Sequence, residues 1–305
     1  MGRWRSLRFD FTAMASPCSV LIDTRDERQA RRAAQAAMNE VRRIEAKYSR
    51  YQSNSMIGRI NAAAGTQPVA IDAETALLLD YADALYTQSD GLFDVTSGVL
   101  RQAWDFKHAT LPTPDHLAAV LARVGWSRVQ RSATQIFLPG SGMELDFGGF
   151  GKEYAADRAA TVLHEHGMDN ALVNLGGDLH ALGPRGLPEC AGQPWRIDIA
   201  HPRPDAQTSI KPLAVLELSR GGLATSGDYE RFFERDGQRY CHVLDPRSGW
   251  PVSHWQSVSV LAANATSAGA ASTIAMLKRD QALPWLQAQG LRYLGVAHDG
   301  SLWKS

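Results

Sequence analysis

Cysteine is scarce in this chain, with 3 in 305 residues. Cys18, Cys190 and Cys241 are scattered and fit no zinc-ligand spacing, so neither a disulfide framework nor a cysteine metal site is expected. A charge imbalance is missing too. Lys plus Arg and Asp plus Glu each total 32, a formal net charge of +0. No global field therefore draws the chain to nucleic acid or to an anionic membrane, and a polyanionic ligand has to be held locally. No run approaches the roughly 18 apolar residues of a membrane span. The opening "MGRWRSLRFDFTAMASPCSV" lacks the roughly 7 to 15 residue apolar stretch of a signal peptide. A cytoplasmic protein is the expectation, or a periplasmic one if an export signal has been trimmed away. "MGRWRS" fits the N-myristoylation pattern, which is short enough to arise by chance. No fixed-period repeat, Walker loop or G-x-G-x-x-G is present, so the named nucleotide-binding motifs do not apply.

What is present suits a packed core: 44% of residues are hydrophobic and 21% charged, ordinary for a globular protein of this length. Residues 26–48 place Ala30, Ala34, Ala37, Met38, Val41, Ile44 and Tyr48 at helical spacing, predicting a long amphipathic helix after a strand over Cys18 to Ile22. Further helices are predicted from Ala73 to Ser89, after Thr113 as N-cap with Pro114 at the first helical position, and from Lys152 to His166. "QIFL", "MELDF", "ALVNL", "WRIDIA", "LAVLELS", "RYCHVL", "QSVSVLA" and "RYLGVA" read as strands, and Asp236-Gly237 as a hairpin turn. Gly183 to Pro194 and Pro202 to Pro212 read as surface loops. The strands adjoin one another instead of alternating with helices. The expected fold is therefore α+β, one domain over residues 1–305 with a largely antiparallel sheet and packed helices.

Four blocks mix glycine with polar residues beside element ends. "GLFDVTSG" sets Leu92, Phe93 and Asp94 after Gly91; it is either a helix C-cap with a buried aromatic or a ring pocket with a carboxylate acceptor. "ELDFGGFGKEYAADRA" runs glycines into a helix at Lys152, which suits a phosphate at a helix N-terminus and equally a tight turn with a solvated lysine. "NLGGDLHALG" carries Gly176-Gly177 before Asp178, a bulge or a close approach to a ligand. The last block, "TSGDYERFFERDGQRYCHVLDPRSGWP", puts His242 on a strand before an Asp-Pro turn. A histidine near neutral pKa takes a proton from a hydroxyl, although a lone one is more often structural.

In this order, the blocks resemble the ApbE family of FAD:protein FMN transferases. "FTAMASPCSV", "YSRYQSNSMIGRIN", "LATSGDYERFF" and "SVSVLAANATSAGAAST" extend the likeness over nearly the whole chain. The resemblance implies cleavage of FAD, a phosphoester bond from FMN to a Ser or Thr of a partner flavoprotein, release of AMP, and assistance by Mg²⁺. It also implies an acceptor motif of the type Asp-Gly-x-Ser/Thr-Gly-Ala-Ser/Thr. On the matching positions, Met14, Tyr51, Leu92, Phe93, Asp94, Asp146, Lys152 and Leu244 contact FAD and His242 is catalytic. Asp228 either orients His242 or binds a cation.

Three positions depart from the pattern. "MAS" stands for Met-Gly-Thr, Glu153 for a glycine after the lysine, and Gly269 for a metal-binding Asp. Ser272, Thr273 and the Gly149 carbonyl remain as candidate ligands, a set without a carboxylate that should hold Mg²⁺ weakly. Restoring Asp at 269 is expected to strengthen metal use. Glu153 is either a helix-start glutamate favoured by the helix dipole or a substitute carboxylate from across the site. An FAD-binding homologue without efficient transfer and an FAD pyrophosphatase are the alternative activities.

Overall fold

Alternating burial along residues 5–24 builds the first hairpin, β1 (Arg5–Ala13) and β2 (Ser16–Thr24). The computed structural model describes residues 3–204 and 211–305. The first two residues of the N-terminal acylation pattern and the middle of the Pro202–Pro212 loop lie outside the described residues. The chain continues through α1 (Glu27–Tyr48), α2 (Met56–Ala62), β3 (Val69–Ala70), α3 (Ala73–Gln88), α4 (Pro114–Leu121), β4 (Gln130–Arg131), β5 (Gln135–Phe137) and α5 (Gly151–Glu165). Next come β6 (Ala171–Leu175), β7 (Asp178–Ala181), β8 (Trp195–Ile199), β9 (Ala214–Leu218), β10 (Gly221–Gly227), β11 (Phe232–Arg235) and β12 (Gln238–Cys241). The last elements are β13 (Trp255–Ala262), α6 (Ala265–Lys278), α7 (Ala282–Ala288), β14 (Arg292–Ala297) and β15 (Leu302–Lys304).

Eight strands form the main sheet in the order β1-β2-β6-β7-β10-β13-β14-β15, and every pairing is antiparallel. The α+β expectation therefore holds. Helices α1 and α5 pack together through small residues: Ala30, Ala33, Ala34 and Ala37 on one, Ala155, Ala156, Ala159 and Ala160 on the other are all buried. Short side chains let the axes approach closely. Helix α6 lies on β10 and β13 and against α5. It is buried on nearly every face, from Ala265 to Leu277, which is why no amphipathic period announces it in the sequence.

Helix starts follow the sequence closely. Asp26, Asp72 and Thr113 each cap a helix by accepting a backbone N–H three residues on. Two expected strands change. "MELDF" forms none: Leu145 N–H donates to Asn61 Oδ1 at 2.7 Å and Asn61 Nδ2 donates back to Leu145 O at 3.0 Å. The segment's backbone is thus satisfied by an asparagine side chain instead of a neighbouring strand. "RYCHVL" is a strand only to Cys241, so His242 lies just beyond it. Among the described residues no helix is long and apolar enough to cross a membrane.

The β1-β2 turn is strained. Met14 and Ala15 both sit in left-handed backbone, at φ 51° and 57°, and Ala15 occupies the position where the resemblance expects glycine. Left-handed backbone disfavours an L-residue by roughly 1–2 kcal/mol, while glycine's extra freedom in the unfolded chain offsets about 0.5–1 kcal/mol. Ala15→Gly is expected to raise stability by about 0.5–1 kcal/mol in urea unfolding. An unchanged or lower midpoint would mean that the turn carries no strain.

Candidate active site

Strands β11 and β12 meet at the expected Asp236-Gly237 turn and are backed by an aromatic cluster of Trp104, Phe106, Phe233, Tyr240 and Trp250. His242 leaves this platform with its N–H donated to Arg231 O at 3.0 Å. Beyond it, Leu244 bridges to Pro251, and Gly249 N–H donates to Asp245 O at 2.8 Å to close the turn. Trp104 Nε1 donates to Gly249 O at 2.8 Å, tying the turn to the aromatic cluster. The His242 backbone is therefore fixed on both sides. Its Nδ1 is buried without a hydrogen-bond partner among the described residues. Burial first, and the Arg231 charge second, push its pKa below the ordinary histidine value, so the ring is neutral at neutral pH. The charges of Glu230 and Lys152 also reach it.

Lys152 comes from the first turn of α5 and pairs with Asp178 at 2.8 Å. Burial opposes its charge, but Asp178 outweighs that and leaves the ammonium pKa raised. Gly176 and Gly177, both at positive φ, form a two-residue hairpin turn between Leu175 and Asp178 where a bulge or a ligand contact was expected. A Cβ on Gly176 would lie 2.7 Å from Ser16 Cβ and 3.4 Å from Lys152 Nζ. This turn thus carries Asp178 up to the lysine. A cleft of about 800 Å³, lined by Arg8, Thr12, Ser16, Asn174, Gly177 and Glu230 among others, opens beside it.

The residues expected around a flavin divide by exposure. Tyr51 is 76% exposed; Arg50 Nη2 donates to its hydroxyl at 2.7 Å, and the guanidinium carbon lies 4.9 Å from the ring centroid. Arg50 also pairs with Asp146, which accepts from Gly148 N–H at 2.9 Å. Met14 is partly buried, its N–H donated to Glu45 Oε1 at 2.7 Å. Leu92 and Leu244 are partly buried against separate apolar clusters. Phe93 is buried under Gly149, where a Cβ would meet its ring at 2.7 Å.

Asp94 is buried and engaged within the protein. One oxygen accepts Thr96 N–H at 2.7 Å and Thr96 Oγ1 at 2.6 Å, and the other accepts Trp126 N–H at 3.0 Å. The carboxylate expected to contact the flavin nucleotide also holds the Phe93 loop from inside. Asp228 is committed as well: its oxygens accept from Arg203 at 2.7 and 2.5 Å. Asp228 therefore does not orient His242 in this structure.

On α6, Ser272 and Thr273 reach Ser226 of β10, at 2.8 and 3.0 Å between hydroxyl oxygens. Ser272 Oγ also donates to Gly269 O at 2.9 Å. Gly149, the third candidate, lies in the turn that leads into α5. Among the described residues, no three His, Cys, Asp or Glu side chains gather as a metal site. The position expected to carry the restored carboxylate is already occupied: a Cβ on Gly269 would lie 2.4 Å from Glu153 Oε1, so a side chain there requires Glu153 to shift. Glu153 is only 7% exposed and is no surface helix-start residue. Burial first, then the charge of Asp178, raises its pKa. Sequence reasoning passed over Arg50 and Glu230, which are ordinary charged residues that only the fold brings to the site. The assembly offers a neutral imidazole, an ammonium group, a hydroxyl cluster and an exposed aromatic ring. That combination suits phosphoryl chemistry on a ligand with a flat ring.

Comparison with known proteins agrees. The ApbE family description matches residues 14–294. The FAD:protein FMN transferase of Klebsiella pneumoniae (strain 342) is 34% identical over 263 residues, which is 84% of this chain and 78% of that protein. The FAD:protein FMN transferase of Treponema pallidum (strain Nichols) is 35% identical over 236 residues, 73% of this chain and 64% of that protein. The crystal structure of the ApbE protein from Thermotoga maritima superposes with a TM-score of 0.88 at 28% identity, covering 99% of this chain and 97% of that one. The apo form of Pseudomonas stutzeri flavinyl transferase ApbE gives 0.85 at 26% identity, covering 99% and 95%.

Because Asp94 anchors the loop by charge-assisted hydrogen bonds, Asp94→Ala is expected to destabilise the protein by about 2–3 kcal/mol in urea unfolding. A loss near zero would mean that the Phe93 loop is held by packing alone.

Proposed function

The chain belongs to the ApbE family, and on that premise we propose that it is an FAD:protein FMN transferase, moving FMN from FAD to a Ser or Thr hydroxyl of a partner flavoprotein with release of AMP. The supporting observation is His242: a neutral imidazole on a fixed backbone, with a nitrogen that has no partner among the described residues and within the field of Lys152. In the reaction, the acceptor oxygen forms a bond to the FMN phosphorus. The bond from that phosphorus to the AMP oxygen breaks, and its electron pair leaves with AMP. His242 takes the acceptor's hydroxyl proton.

Lys152 balances pyrophosphate charge at the start of α5, where backbone N–H groups also favour an anion. Its pairing with Asp178 keeps the ammonium directed before substrate arrives. Tyr51, held by Arg50, offers a stacking face at the site's rim. Met14, Leu92, Phe93 and Leu244 supply apolar surface, and Asp146 holds Arg50 in place. The acceptor is read as a flavoprotein segment of the type Asp-Gly-x-Ser/Thr-Gly-Ala-Ser/Thr, entering by the cleft beside Glu230.

The family implies magnesium, and the donors present fit a hard cation. They are oxygens only: the hydroxyls of Ser226, Ser272 and Thr273, with a buried, unpartnered Glu153 oxygen nearby. Bound there, the ion supplies neutralisation of charge on the departing phosphate.

Incubation with FAD and an acceptor domain carrying the motif is expected to add the mass of FMN to the acceptor by intact-protein mass spectrometry. Bound FAD with no added mass would sink the transferase reading, and AMP released without labelling would point to hydrolysis. His242→Ala is expected to slow transfer by about 10²–10⁴ while FAD binding persists; undiminished transfer would remove His242 from the chemistry. The base must be neutral to act, and its pKa is lowered. Transfer should therefore hold through neutral pH and fall only below the ordinary histidine value of about 6.5. A rate that already falls above that value would assign the proton to another group.

A further inference from the structure

Glu153 is buried, at 7% exposure, in the first turn of α5. Its Oε1 fills the space over Gly269, where a Cβ would lie 2.4 Å away, and Oε2 has no hydrogen-bond partner among the described residues. Neither protonation state is satisfied by the protein: a carboxylate lacks a donor at Oε2, and a carboxylic acid lacks an acceptor there. The neighbouring ammonium of Lys152 is engaged with Asp178 instead. Gly269 O is the acceptor for Ser272, whose hydroxyl joins those of Ser226 and Thr273. An orphaned carboxylate oxygen, a side-chain vacancy filled by that same carboxylate and an adjoining group of hydroxyls are thus found together.

We propose that Glu153 is a ligand of the divalent cation, supplying from α5 the carboxylate that α6 lacks at Gly269. The two departures from the family pattern are then one exchange. Glycine at 269 makes room for the longer side chain, and the longer side chain returns the charge. Registration of the helices makes the exchange specific. Asp157 of α5 accepts Ala265 N–H at 2.8 Å and Thr266 N–H at 2.9 Å, which sets Glu153, one turn back on α5, opposite Gly269, one turn on along α6.

The proposal rests on the transferase reading for the identity of the reaction, so its test reads metal binding directly. Mn²⁺ is titrated into the protein with FAD and followed by electron paramagnetic resonance, with Mg²⁺ as competitor. The parent is expected to bind Mn²⁺ that Mg²⁺ displaces, and Glu153→Gln to weaken that binding at least about tenfold while keeping its circular dichroism spectrum. Gly269→Asp alone should also weaken it, because the new side chain collides with Glu153. The double variant Glu153→Gly, Gly269→Asp should restore it. Parent-like affinity in a folded Glu153→Gln would overturn the proposal. So would the absence of a ¹³C coupling to Mn²⁺ in parent protein labelled at the glutamate carboxyl, a measurement that needs no variant to fold. Labelling of the acceptor with Mn²⁺ binding indifferent to Glu153 would refute the ligand and leave the transferase standing. Glu153-dependent binding without labelling would do the reverse.

Discussion

Asp157 fixes the relation on which the rest of the site depends. Its carboxylate accepts the first two backbone N–H groups of α6 and pairs with His180 Nδ1 of β7 at 2.5 Å. One residue thereby docks α5, α6 and the sheet. The N–H groups it satisfies are those a helix start leaves without partners, and its charge suits the positive end of the α6 dipole. Once that contact is made, the small residues along both helices permit close packing and leave little freedom to slide. Lys152 then reaches Asp178, Glu153 covers Gly269, and Ser272 and Thr273 meet Ser226.

The second constraint is electrostatic. Asp178 and Glu153 are buried carboxyls held above their usual range, mainly by burial, and Lys152 answers only one of them. Burial favours the neutral acid at the carboxyl that Lys152 does not pair with, so a cation bound by Glu153 would have to displace its proton. On the other side, His242 is kept neutral by burial and by Arg231. The site therefore combines an imidazole that is unprotonated at neutral pH with a buried carboxyl that keeps its proton until something replaces it. A proton acceptor needs that first feature, since only the neutral imidazole has a free lone pair.

Much of this was legible in sequence where a local rule applies. Helical spacing and capping residues gave α1, α3 and α4 nearly to the residue, and Asp236-Gly237 gave the β11-β12 turn. What failed was decided by tertiary contact. "MELDF" has the alternation of a strand, yet Asn61, far away in sequence, takes its hydrogen bonds. Helix α6 has no polar face to betray it, though Asn264 is an N-cap in plain view. Only the fold, too, shows that the oxygens of Asp94 and Asp228 accept from Thr96, Trp126 and Arg203. Which carboxylate is free is not a property of its own motif.

The pair at 153 and 269 shows the same limit from the other side. Read singly, Gly269 looks like a lost ligand and Glu153 like an ordinary helix-start acid. Each reading treats a position as though its neighbours in space were its neighbours in sequence. In the fold, the Glu153 carboxylate occupies the volume that a side chain at 269 would need, so the two positions form a single steric and electrostatic choice. In this structure the Glu153 carboxylate holds the space between the helices, and a side chain at 269 would have to displace it. On the proposed ligand role of Glu153, glycine opposite glutamate and aspartate opposite glycine answer one requirement. A chain that kept both acids would have to move the Glu153 side chain aside, between helices that Asp157 holds in register.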